Sequence, residues 1–142
     1  MSTLTDFLLA RIAEDEADAK AATPGPWRWE EPSGDDFPTG DQDLVSDGKT
    51  YVGEVSGEVL PTTVLHGWGY DASGIHAEDA DRAHIARHDP ARILAECEAR
   101  RRIVEFHAAS TNHDFRRAFD WALRSLALPY ADHPAFKEEW KV

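Results

Sequence analysis

The sequence predicts an α+β fold: an N-terminal helix, a small antiparallel sheet of three to four strands, and a C-terminal helical half. Apolar residues recur at helical spacing near the N-terminus. Short β-branched and aromatic runs, punctuated by Gly, Pro, Asp and Ser, fill residues 27–65. Helical patterns bounded by proline resume from about residue 77.

Thr3 and Asp6 make a capping-box-like start with an acid in the first turn. Leu4, Leu8 and Ile12 then form one apolar face, Glu14, Asp15, Glu16 and Asp18 are polar, and Pro24-Gly25-Pro26 ends the helix. The runs "WRWEE", "KTYVGEVS" and "VLPTTVL" have strand character, and Asp47-Gly48 between "DLVS" and "KTYV" is a two-residue hairpin signal. Residues 33–43 form a polar loop. From His66 a Gly-rich loop leads to a second helix beginning near Ala77. Asp89 and Pro90 supply the cap and first-turn proline of a third, with Ile93, Leu94, Cys97, Ile103, Val104 and Phe106 as its apolar positions. Arg100, Arg101 and Arg102 lie in its second half, where bases suit the helix dipole. "ASTN" breaks it, and Asn112 caps a fourth helix bearing Phe115, Phe119, Trp121, Leu123 and Leu126. Pro129 ends that helix, and His133-Pro134 starts a final turn reaching Trp140.

With 42% apolar and 30% charged residues, 142 residues suffice for one domain, 1–142, to bury a core without disulfides or a structural metal. The lone Cys97 excludes a disulfide framework and a Cys-rich zinc finger. No apolar run approaches the roughly 20 residues of a spanning helix. The N-terminus turns acidic too soon for a signal peptide, so the expectation is a cytoplasmic protein with no membrane partner. Net charge is −12, and residues 1–58 hold 14 acids against 4 bases. That half repels phosphate backbones, which argues against ordinary nucleic-acid binding.

Three sequence blocks, "ATPGPW" at 22–27, "HIARHDPARILAECEARRRIVEFH" at 84–107 and "LALPYADHPAFKEEW" at 126–140, carry a resemblance. Together they resemble an actinobacterial and actinophage family classed only as a domain of unknown function. A looser likeness extends to small phage accessory proteins of the ead-like type. The resemblance implies no activity. Many family members carry cysteines between the third and last helices. This chain has none there, so it inherits no zinc site.

His84 and His88 stand four residues apart and share a helix face, the geometry of a zinc half-site. Ile85 occupies the position where the metalloprotease motif needs Glu, so the segment reads mainly as a helix–helix corner. Cys97 falls in an apolar periodicity and reads as an inert buried thiol. Gly48-Lys49-Thr50 lacks the earlier glycine of a phosphate-binding loop, and no nucleophile motif occurs. Neither a catalytic residue, a metal site nor a cofactor is assigned.

Trp27 and Trp29, at i and i+2, point to one strand face as core or as a cleft wall. Trp68 and Tyr70 sit among glycines, a setting for contact aromatics. Arg82, His84, Arg87 and His88 offer donors to an anion. These eight residues form the expected ligand site of a non-enzymatic accessory protein binding a small anionic or nucleotide-like ligand, with a host-directed anti-defence role by analogy. Two other readings stay open: an acidic inhibitor or DNA mimic meeting a basic host protein through residues 14–47, and a zinc-binding domain or hydrolase using His84 and His88. Homo-oligomerisation is left open as well.

Overall fold

The computed structural model describes residues 3–30, 42–54, 57–65 and 78–142. Four helices, α1 (Leu4–Ala21), α2 (Asp79–Arg87), α3 (Pro90–Ala109) and α4 (His113–Ala127), and three strands, β1 (Trp27–Glu30), β2 (Asp43–Val52) and β3 (Val59–Leu65), make up the regular structure of these residues, with short 3₁₀ turns at Leu128–Tyr130 and Glu138–Trp140. The chain divides into two compact units, one of Met1–Asp18 with Leu94–Val142, the other of Ala19–Ile93. None of the helices among the described residues is long and apolar enough to cross a membrane.

Helix ends follow the local chemistry. Thr3 and Asp6 cap α1 reciprocally: the Thr3 N–H donates to Asp6 Oδ2 at 3.0 Å and the Asp6 N–H to Thr3 Oγ1 at 3.1 Å. Asn112 Oδ1 accepts from the Phe115 N–H at 3.0 Å and starts α4.

In the unit Ala19–Ile93 the sheet is antiparallel in the order β1-β2-β3. Leu44, Val45 and Ser46 at its centre are buried. Trp27 pairs with Ser46 and Trp29 with Leu44. Asp47-Gly48 is not the expected hairpin turn, because β2 runs on through it. Ser46 pairs with Thr62 and Thr50 with Pro61, so Asp47, Gly48 and Lys49 bulge from the ladder. The Pro24-Gly25-Pro26 turn presses against this bulge. A Cβ at Gly48 would stand 2.1 Å from the Gly25 carbonyl oxygen, so glycine serves close backbone approach here and not a turn. The Asp47 N–H donates to the Pro26 carbonyl at 3.0 Å. The Ser46 hydroxyl donates to the Pro24 carbonyl and accepts from the Lys49 N–H at 3.1 Å.

Asp89 anchors the same turn. Its Oδ1 accepts from the Arg92 N–H at 2.9 Å, capping α3, and its Oδ2 accepts from the Trp27 N–H at 3.0 Å. Gly25 lies directly beneath, where a Cβ would come within 2.8 Å of the carboxyl. The cap read from sequence is thus also the clasp of β1.

The helical unit buries Phe7, Leu8 and Ile12 of α1, Cys97 and Val104 of α3, Leu123 and Ala127 of α4, and Trp140. Phe7 meets Tyr130 and Phe136 edge-on, at ring separations of 6.3 and 6.0 Å, and lies 5.0 Å from Trp140. Three expected apolar positions fall off the buried stripes. Ile103, Phe106 and Trp121 are exposed, while His107 is buried. On α3 the stripe through Cys97 and Val104 arrives at residue 107 and not 106, because the helix turns 100° per residue. Arg100 and Arg101 both reach carboxylates: Arg100 donates to Glu96 at 3.0 Å and lies 3.8 Å from Asp15, and Arg101 lies 2.9 Å from Glu16.

The Tyr130 hydroxyl donates to Asp15 Oδ2 at 2.6 Å. Burial, and then the hydrogen bond to Asp15, push the Tyr130 phenol from 10.0 up to about 12.

Two stability predictions follow from these contacts. Asp89→Ala removes a cap, about 1 kcal/mol, and strands the part-buried Trp27 N–H, about 1–3 kcal/mol more. Asn at 89 keeps one acceptor and should fall between. Urea unfolding measures both, and an Ala cost no larger than a cap alone would mean that the Trp27 bond contributes nothing. For Tyr130 the folded-state value lies above the unfolded one, so its stabilisation is complete below pH 10 and disappears as pH rises through about 12. Tyr130→Phe should be less stable near neutrality by about 1 kcal/mol yet lose less between those pH values. Parallel declines in the two proteins would exclude Tyr130 as the cause.

Candidate functional site

Helix α2 has two faces, set by its 3.6-residue period. Arg82, Ile85 and Ala86 turn inward and are half-buried, continuing to the buried Asp89, while His84, Arg87 and His88 are exposed. The four α2 residues expected at one site are therefore divided, and only Arg82 reaches a tryptophan.

Arg82 and Trp29 are joined twice. The Trp29 indole N–H donates to the Arg82 carbonyl at 2.8 Å, and the Arg82 guanidinium carbon lies 5.8 Å from the Trp29 ring centroid. The Arg82 side chain is only 17% exposed, and its nearest carboxylate, Asp79, is fully exposed and 3.9 Å away. Its Nε is buried and makes no hydrogen bond among the described residues. A half-buried guanidinium with an unused donor is costly unless something else accepts from it.

Trp27 is half-buried, and its indole N–H donates to the Thr23 carbonyl at 2.9 Å. Both indole donors are thus committed to backbone carbonyls. Trp68 and Tyr70 lie outside the described residues.

His84 and His88 act at the helix end. Their rings lie 4.1 Å apart, and His88 Nδ1 meets the His84 carbonyl at 2.8 Å. Because a carbonyl can only accept, Nδ1 carries the proton. The backbone N–H of His88 reaches the same carbonyl at 3.1 Å. "HIARHDP" therefore closes α2 with His88 and opens α3 with Asp89. Among the described residues no group of three or more His, Cys, Asp or Glu is placed to hold a metal ion.

The acidic run does not stand bare. Glu14 faces Arg11 at 2.5 Å, Asp15 faces Arg100, and Glu16 faces Arg101. Sequence reasoning missed the Asp15 and Glu16 pairs because their arginines come from α3, far along the chain, whereas Arg11 is a local i,i+3 partner of Glu14. It also missed that Asp89 clasps Trp27, although "PGPW" and "HDP" were both singled out.

An N-terminal helix, a three-stranded sheet and a helical half, with an arginine set on an indole face, define a small α+β protein. The chain belongs to a family of unknown function, DUF6221, whose sequence profile matches residues 1–142. No curated protein and no solved structure matches it.

Cys97 is buried, and burial, with Asp15 adding to it, pushes its thiol above the ordinary value. Labelling of the folded protein by a soluble thiol reagent should be roughly 100-fold slower than labelling in urea, since the thiolate is both rare and inaccessible. Equal rates would make the thiol a reactive group.

Proposed function

We propose that this protein is a non-enzymatic binding protein for a small anionic, nucleotide-like ligand, taken at the Arg82–Trp29 shelf. The observation supporting this reading is the guanidinium of Arg82, held against an indole with a buried Nε that has no acceptor among the described residues. A phosphate or carboxylate oxygen would satisfy that donor with a charge-assisted bond, and the neighbouring indole face would take a planar ring. His84 and His88 serve the helix end. Arg87, on the opposite side of α2, contributes only long-range attraction. A host-directed role, sequestering a signalling nucleotide in anti-defence, extends the reading through the likeness to phage accessory proteins.

Calorimetric titration with a panel of nucleotides tests the proposal. Arg82→Ala should weaken binding roughly tenfold or more, Arg82→Lys should be intermediate because it keeps charge but loses the fork, and Arg87→Ala should change affinity by less than about twofold. Absence of binding by the parent, or equal affinity in parent and Arg82→Ala, would reject the site.

A further inference from the structure

A second group of cations lies at the corner between α3 and α4, within the helical unit. His107, His113, Arg116, Arg117 and Asp120 line an open depression of about 500 Å³. The sequence places His113, Arg116, Arg117 and Asp120 three or four residues apart, so one flank of α4 carries them all. His107 comes from α3 because the buried stripe through Cys97 and Val104 ends on it.

The arginines here differ from their neighbours. Arg11, Arg100, Arg101, Arg102 and Arg124 each stand opposite a carboxylate. Arg116 and Arg117 have no ion pair among the described residues, and both are exposed. In a chain of net charge −12, two adjacent cations left without a carboxylate call for a physical reason. The one acid at the depression, Asp120, is engaged by Arg124 at 2.7 Å.

His107 supplies an independent observation. It is 8% exposed, and its Nε2 meets the Arg116 carbonyl at 3.2 Å. The carbonyl can only accept, so Nε2 carries the proton and Nδ1 keeps a lone pair. That Nδ1 is buried and has no hydrogen-bond partner among the described residues. His107, which carries this unpaired ring nitrogen, thus lines a depression bearing two arginines and a second histidine.

We infer that this corner is an oxyanion site selective for phosphate, as the free ion or a small monoester, over sulfate. Arg116, Arg117 and His113 supply the donors that any tetrahedral oxyanion needs. His107 Nδ1 and Asp120 are acceptors, and only an oxyanion that keeps a proton can donate to them. Near neutral pH a phosphate or its monoester retains a proton in part of the population, whereas sulfate has none. Against sulfate, the Asp120 carboxylate, although paired with Arg124, finds no proton to accept, and His107 sets a lone pair against a lone pair, so the same two groups that accept from phosphate disfavour its isoster. This site is independent of the Arg82–Trp29 shelf.

Calorimetric titrations of the full chain with inorganic phosphate, phenyl phosphate and sulfate, at matched ionic strength, test the inference. Both phosphates should bind with Kd below about 1 mM, and sulfate should bind at least roughly tenfold more weakly. The double variant Arg116→Gln/Arg117→Gln changes exposed side chains, so it should keep the parent melting temperature while losing at least roughly tenfold in phosphate affinity. Asp120→Asn should narrow the phosphate-to-sulfate ratio. Sulfate binding as tight as phosphate, no phosphate binding by the parent, or undiminished binding by the double variant would each overturn the assignment. Loss of phosphate binding in Arg82→Ala alone would move the anion to the other site and overturn it equally.

Discussion

The carboxylate of Asp89 is the contact on which the sheet-bearing unit depends. It is 7% exposed, and it accepts one backbone N–H from each of two segments distant in sequence. On one side it begins α3; on the other it fixes Trp27, the first residue of β1. A carboxylate is the side chain suited to this, since it accepts at two oxygens and its charge strengthens both bonds. The glycine beneath it leaves room for the carboxyl, and the prolines around that glycine set the chain direction without needing their own N–H partners. From Trp27 the register of β1 on β2 follows, and with it the position of Trp29 against α2.

Charge pairing organises the helical unit in a comparable way, though more weakly. Asp15 accepts from Tyr130 and lies beside Arg100, while Glu16 meets Arg101. Each pair is partly exposed, so none contributes much alone. Their effect on surface chemistry is larger. The run of acids that suggests a nucleic-acid mimic is screened at Glu14, Asp15 and Glu16 by arginines, which weakens that reading for this part of residues 14–47. Arg116 and Arg117, which make no ion pair among the described residues, place two adjacent exposed cations on the surface of a chain that is acidic overall.

Element identity was largely legible in the sequence because its signals are local. Thr3 with Asp6, Asp89 before Pro90 and Asn112 before α4 all act on N–H groups within three residues, and each cap forms as its sequence implies. The Asp47-Gly48 pair was misleading for the opposite reason. A glycine before a strand-like run signals a turn when only neighbours are considered, and here the partner is a carbonyl of Gly25 more than twenty residues earlier. Phe106 and Trp121 misled similarly, since apolar character does not reveal which of several offset stripes a helix buries.

The candidate site divides along the same line. Residue type and spacing singled out Trp29, Arg82 and the histidine pair as candidates. That Arg82 faces Trp29 while Arg87 faces away required the inward face of α2, which α2's packing on β1 selects. The sequence by itself determined the α+β class, the helix caps and the inventory of cations and aromatics, because these rest on contacts within about one helical turn. Only the tertiary structure decided that Gly48 is a point of close approach, that Asp89 clasps a strand, that His107 is buried, and which arginines meet carboxylates among the described residues. Each of these is a relation between segments far apart in the chain, and one chain's spacing does not encode which distant segments will meet.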